Sequence, residues 1–177
     1  DKVGLTIFTE RVEKYVAPAK SNRHVLRLVR DILEHTPDHR GGDLRHALQH
    51  LQKTFRRRAV MVVLSDFLDP LPVSALQQAR RRHDVIAIQI TDLHEEKLPT
   101  LGRITIEDAE TGEVGEVTLR NKEELSAFSR QQAHAQEELE QQLSGIGIDH
   151  IRLRTNESYI PGLSKFFRTR IERQRRT

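Results

Sequence analysis

Ala59-Val60-Met61-Val62-Val63-Leu64 is the longest purely apolar run in the chain, and Ser65-Asp66-Phe67 follows it directly. An apolar run without alternation reads as a strand covered on both faces, as inside a parallel sheet flanked by helices. It is far shorter than the ~20 residues that a bilayer-spanning helix needs. Asp69-Pro70 marks a helix start, with the helix reaching about Arg82, and Val85 to Ile90 forms a second strand of low polarity. Strand, helix and strand at this spacing predict a right-handed βαβ unit.

Working outward, Val3, Leu5 and Ile7 fall on one side of an alternating run from Val3 to Thr9, and Val12 to Val16 follows a short polar break, which predicts a strand pair. Ser21 is placed to cap a helix running to about His35, with Val25, Leu28, Val29 and Ile32 at helical spacing. Thr36 to Gly42 reads as loop, and Asp43 caps a second helix with a stripe of Leu44, Ala47, Leu48, Leu51 and Phe55. Beyond the βαβ unit, Ile104, Ile106, Val117 and Leu119 alternate around a Glu110 to Glu113 turn, predicting an added hairpin with one wet face. Asn121 and Glu124 form a variant capping box for a helix carrying Leu125, Phe128, Leu139 and Leu143, with Gly145 as its left-handed exit. Ile148 to Leu153 gives one more strand, and Pro161 opens a last helix with Leu163, Phe166, Phe167 and Ile171. No repeat or linker-like stretch interrupts residues 1–177, which read as a single domain. The class that follows is α/β: an open, mostly parallel sheet flanked by helices, with an added hairpin.

Composition removes several functions. The 177 residues carry 29 Lys and Arg against 26 Asp and Glu, and there is no cysteine. Disulfides, thiolate metal sites and a cysteine nucleophile are therefore excluded, and the composition fits a cytoplasmic location. No dinucleotide, P-loop or hydrolase-elbow motif is present. Pro37 breaks any helix that would join His35 to His39 as metal ligands, and His94-Glu95-Glu96 lacks the second histidine of a zinc protease. The triplets Arg56 to Arg58 and Arg80 to Arg82 suit helix C-termini. The terminal arginines, from Arg168 to Arg176, have few aromatic companions, so nucleic acid is not the expected partner.

Open parallel sheets bind ligands beyond the carboxyl ends of their strands. That rule directs attention to Ser65-Asp66, to Thr91-Asp92 and to the Gly41-Gly42-Asp43 loop. Two acidic strand ends side by side suit Mg²⁺, which prefers hard oxygen ligands. Read locally, Asp66 and Asp69 are capping residues for a loop and the helix after it before they are metal ligands.

With these elements placed, the sequence resembles the C-terminal part of the bacterial domain-of-unknown-function family 58, a branch of the von Willebrand factor A superfamily. The resemblance rests on Asp1 to Leu5, on Gly41-Gly42-Asp43-Leu44 leading to Ala47-Leu48, and on Val63-Leu64-Ser65-Asp66-Phe67. It continues through Asp92, Glu95, Leu98-Pro99 and Glu107 to Glu113, and ends at Leu163 to Phe167. It implies a three-layer, Rossmann-type fold whose first central strand is missing from this chain, which opens at Asp1 inside a strand-like run as a piece of a longer protein. It also implies a metal-ion-dependent adhesion site holding Mg²⁺ or Mn²⁺, a docking point that breaks no bond. Asp66 matches one of that site's ligands. The position of a second falls at Gly42, where only the neighbouring Asp43 offers a substitute, so Mg²⁺ is expected to be weakly held or absent.

The function implied is a non-enzymatic interaction module working with a MoxR-type AAA+ ATPase or its client, the parent protein being attached to the membrane by upstream segments. A missing central strand also predicts unpartnered strand edges, closed either by the remaining strands or by pairing in a homodimer. The rival reading is a Mg²⁺-dependent phosphoryl-transfer enzyme using Asp66, Asp69 and Asp92.

Overall fold

The computed structural model describes residues 1–39, 41–92, 102–107, 114–119 and 122–176. Its contacts divide the chain, expected as one domain, into two compact units: Asp1–Arg57 with Glu107–Val114, and Arg58–Ile106 with Gly115–Thr177.

In the first unit, β1 (Val3–Phe8) pairs antiparallel with β2 (Val12–Ala19). Gly4 sits where the ladder is irregular, and a Cβ there would come within 2.9 Å of the Val16 carbonyl oxygen, so only glycine allows the close approach. Helices α1 (Asn22–Leu33) and α2 (Leu44–Thr54) pack on this ribbon. Ser21 and Asp43 are N-caps as expected: Ser21 Oγ accepts from the His24 N–H and Asp43 Oδ1 from the His46 N–H. The α1 stripe is only partly buried. Leu28 is covered, whereas Val25, Val29 and Ile32 are exposed. Beside Leu28 lies buried Asp31, whose carboxylate meets Lys14 at 3.0 Å and Arg27 at 3.5 Å. The Lys14 contact, with the charges of Lys14, Arg27 and Arg30, outweighs burial and holds Asp31 below the usual carboxylate range.

A second acid organises the loop after α1. The Glu13 side chain is 3% exposed, and its Oε2 lies 2.6 Å from His35 Nε2. Its Oε1 accepts from the Thr9 hydroxyl and from the Asp38 and His39 N–H groups. Burial pushes this carboxyl up, but hydrogen bonds from Thr9, His35 and His39 together bring it below its ordinary value.

The second unit holds the parallel sheet. Strands β3 (Val60–Ser65), β4 (Asp84–Thr91) and β7 (Asp149–Arg154) lie in the order β3-β4-β7, with α3 (Val73–Arg82) connecting the first two. Strands β5 (Gly102–Glu107) and β6 (Val114–Leu119) pair in a separate two-stranded sheet. The hairpin turn expected at Glu110 to Glu113 lies outside the described residues, as do His94-Glu95-Glu96 and Asn121. Helices α4 (Lys122–Gly145) and α5 (Tyr159–Arg176) pack on β7.

Three expectations need correction. Helix α3 starts at Val73 rather than Asp69. Its N-cap is Pro72, which makes no side-chain cap, and Asp69 is exposed. The left-handed exit from α4 belongs to Gly147 (φ 67°), because Gly145 is still helical. A Cβ at Gly147 would lie 2.6 Å from an Arg80 guanidinium nitrogen, while Arg80 Nε donates to the Gly147 carbonyl at 2.7 Å.

The third correction concerns Ala59 to Leu64. Among the described residues β3 is a marginal strand, not an interior one, and Val60, Val62 and Leu64 are 61%, 41% and 57% exposed. The reason lies in how far the covering helix reaches. Residues paired across a parallel ladder share a face, so Val60, Val62 and Leu64 lie on the face of Asp84, Ile86 and Ile88. Helix α5 covers that face over β4 and β7: Arg170 bonds to both Asp84 and Asp149, and Gly162 lies against Leu153. Among the described residues Val60, Val62 and Leu64 have no comparable cover. The interior strand is β4, where Val85, Ile86, Ala87 and Ile88 are all buried.

Candidate functional site

The register of the ladders decides which side chains meet. Ser65 pairs with Gln89 across β3 and β4, and Thr91 pairs with Arg154 across β4 and β7, so β4 and β7 finish level and β3 finishes two residues earlier at the same end of the sheet. The residues just beyond them, Asp66, Asp92 and Thr155, line one cleft of about 290 Å³ together with Ser65 and Thr91. Its apolar lining is Leu64 and Ile90, the last outward-facing apolar residues of β3 and β4.

Local backbone bonds hold each group in place. The Thr155 N–H donates to the Thr91 carbonyl at 3.0 Å, and the Thr155 hydroxyl donates to Asp92 Oδ2 at 2.8 Å. The buried Gln89 side chain donates from Nε2 to the Asp66 carbonyl at 3.2 Å. Asp66 Oδ1 accepts from the Leu68 N–H at 3.3 Å, and Ser65 Oγ accepts from the Phe67 N–H at 3.1 Å. This tight turn places Phe67 at φ 57°, a left-handed conformation uncommon for a residue with a Cβ. Such strain persists where surrounding contacts fix the backbone, here the side-chain bonds from Ser65 and Asp66.

Asp66 and Asp92 therefore stand at the rim of a single cleft, as the strand-end rule expects. Asp43 is in the first unit, capping α2, and its N–H donates to the Thr9 carbonyl at 2.8 Å. Asp69 does not line the cleft. Among the described residues no three His, Cys, Asp or Glu side chains converge as metal ligands. The cleft offers two carboxylates, one accepting from the Thr155 hydroxyl and the other from the Ser65 hydroxyl and the Leu68 N–H, and beside them only the neutral hydroxyls of Ser65, Thr91 and Thr155, a poor fit to a tightly held Mg²⁺. What they suit is a cationic or hydrogen-bond-donating group.

Thr155 was not legible as a site residue. Its signal was positional: it follows the third parallel strand as Asp66 and Asp92 follow the first two. The terminal arginines are partly committed inside the fold, with Arg170 bonded to Asp84 and Asp149, and Arg173 3.4 Å from Asp149.

Residues 1–138 match the family described as Protein of unknown function DUF58. The chain belongs to this family. An uncharacterized protein of Mycobacterium avium is 30% identical over 160 residues, covering 86% of this chain and 92% of that protein. Uncharacterized proteins of Mycobacterium bovis and Mycobacterium tuberculosis are 30% identical over 157 residues, but this DUF58 chain spans only 49% of their length. Among solved structures, the conserved hypothetical protein BatB of Bacteroides thetaiotaomicron matches over 100% of this chain and 80% of its own. The TM-score is 0.54 at 13% identity, a likeness of fold. No helix among the described residues is long and apolar enough to cross a membrane.

Proposed function

We propose that this DUF58 chain is a non-enzymatic protein-interaction module whose recognition face is the cleft at the carboxyl ends of β3, β4 and β7. Its partner in this reading is a MoxR-type AAA+ ATPase or a client of that ATPase, met in the cytoplasm, the parent protein being held to the membrane by other segments. The observation supporting it is that Asp66 and Asp92 share one rim above Leu64 and Ile90. Such a rim suits a lysine or arginine from a partner protein: carboxylates take the charged head, and apolar side chains take the methylene stem. Mg²⁺ at Asp66 is at most a weak auxiliary, and the proposal makes no use of Asp43.

The test is binding of a bacterial MoxR-type ATPase to the wild-type chain and to Asp66→Asn, Asp92→Asn and the double variant. Losing charge-assisted hydrogen bonds worth ~1.5–3 kcal/mol predicts at least about tenfold weaker binding, with an affinity that falls as salt rises. Unchanged binding in the double variant would remove the cleft from the reading. Phosphodiesterase or phosphatase activity with Mn²⁺ that disappears in Asp66→Ala would replace it with phosphoryl transfer.

A further inference from the structure

The two ends of the parallel sheet differ in charge. The cleft end presents Asp66 and Asp92. The foot, where the strands begin, gathers arginines from three separate stretches of the second unit. Arg58 precedes β3, and the Ala59 carbonyl accepts from the Asp84 N–H at 2.9 Å, which sets Arg58 beside the start of β4. Arg81 and Arg82 end α3 just before that same Asp84. All three arginines are exposed.

The third stretch is the end of α5. This helix runs against the strands: Gly162 lies against Leu153 near the top of β7, and Arg170 bonds to Asp84 and Asp149 at the feet of β4 and β7. The helical rise over 162–170 matches the strand rise over 149–153, about 12–13 Å each, so Arg170 marks the level of the foot. Residues 171–176 then carry α5 up to about 9 Å past it. On that projecting turn Ile171 is 50% exposed, and Arg173 and Arg175 are exposed. Acids do little to offset the set. Asp84 and Asp149 are already bonded to Arg170, and the last glutamate of α4, Glu140, stands about 7 Å above the end of its helix. Among the described residues past Arg170, Glu172 is the exposed acid. Neutralising helix C-termini accounts for Arg81 and Arg82, but not for Arg58, which precedes a strand.

We propose that the foot of this sheet rests on a surface of anionic lipid headgroups. Guanidinium groups match phosphate with paired hydrogen bonds, and each arginine within a Debye length of such a surface strengthens attachment about fivefold. Ile171, at the front of the arginines, meets the boundary between headgroups and acyl chains. A nucleic acid offers the same phosphates. Yet past Arg170 no aromatic side chain stands among the described residues for a base to stack on, and an exposed isoleucine gains nothing from a phosphate backbone. With the foot on lipid, the cleft at the other end of the same strands faces solution, about 25 Å away. Neither the ligand of the cleft nor any other segment of the protein enters into this attachment.

Vesicle flotation of the whole chain tests it. Vesicles of phosphatidylcholine with about 30% phosphatidylglycerol are expected to bind the chain at ~0.1 M salt and release it at ~0.5 M, while phosphatidylcholine alone does not bind. Arg81→Gln and Arg175→Gln are each expected to weaken binding about fivefold, and together about 25-fold. Arg130→Gln removes the same charge about 20 Å above the end of α4 and is expected to change binding less than about twofold. The chain has no tryptophan, so Ile171→Trp adds a single reporter whose emission should shift to the blue on the anionic vesicles. No binding to the anionic vesicles, or equal binding to phosphatidylcholine alone, overturns the proposal. So does tighter binding to duplex DNA or to a polyglutamate peptide, or displacement by inorganic phosphate at constant ionic strength. A double arginine variant that binds as the wild-type chain does overturns it too.

Discussion

β3 and β4 are neighbouring strands of one sheet, and both carry an apolar run, Val60 to Leu64 and Val85 to Ile88, yet their surroundings differ. β4 is walled on both sides, by β3 and β7 along its edges and by helices over its faces, and Val85 to Ile88 are buried. β3 buries Val63 and leaves Val60, Val62 and Leu64 exposed, on the part of that face beyond the cover of α5. The difference teaches that an apolar run specifies a strand but not its neighbours. How many sides are covered depends on elements far away in sequence.

The contrast is most open to attack in the two strand cores. Ile86→Ala on β4 empties a site only 1% exposed and is expected to cost about 2–5 kcal/mol in urea unfolding, against under ~1 kcal/mol for Val62→Ala on β3. Equal costs would break the comparison. The next effect lies at the foot of the sheet, where Arg170 bridges Asp84 of β4 and Asp149 of β7 and, among the described residues, no such bridge reaches β3. Arg170→Ala leaves two partly exposed carboxylates facing each other and is expected to cost about 1–3 kcal/mol. Thermal melts of the variant beside the wild-type chain would show the deficit.

The smallest effect sharpens the comparison through His83, just before β4. Burial, and then the charge of Arg82, push its imidazole below the usual histidine range. Its neutral form is therefore favoured by folding. The stability it contributes is present above about 6.5, the unfolded value, and is lost as pH falls through the lower folded value. Unfolding measured at pH 7.5 and 5.5 is expected to show a loss that His83→Leu reduces. Val60→Thr on β3 should leave that pH dependence untouched.

The helices and strands were legible because their signals are local. Ser21 and Asp43 announce their helices by cap chemistry, and Val85 to Ile90 reads as a strand by composition alone. The Asp66 and Asp92 part of the cleft was legible through a topological rule, since parallel strands joined by a crossover finish at the same end. What was hidden depends on distant partners. The exposure of β3 follows from the reach of α5, more than a hundred residues along the chain. The Glu13 cluster draws on Thr9, His35 and His39, whose spacing has no period. Thr155 acquires its role from the ladder between β4 and β7, which no residue near it signals. Gly147 rather than Gly145 takes the left-handed exit beyond α4, and the Arg80 that bonds to its carbonyl comes from another helix.

That last arrangement makes Gly147 intolerant of change beyond what its backbone angle alone requires. The space a methyl group would fill is already taken by the Arg80 side chain, whose Nε is bonded to the carbonyl of this same glycine. Even alanine would evict the guanidinium and cut the tie between the end of α3 and the turn into β7. The two segments are fastened like a bolt in a slot, and the slot exists only while position 147 stays bare.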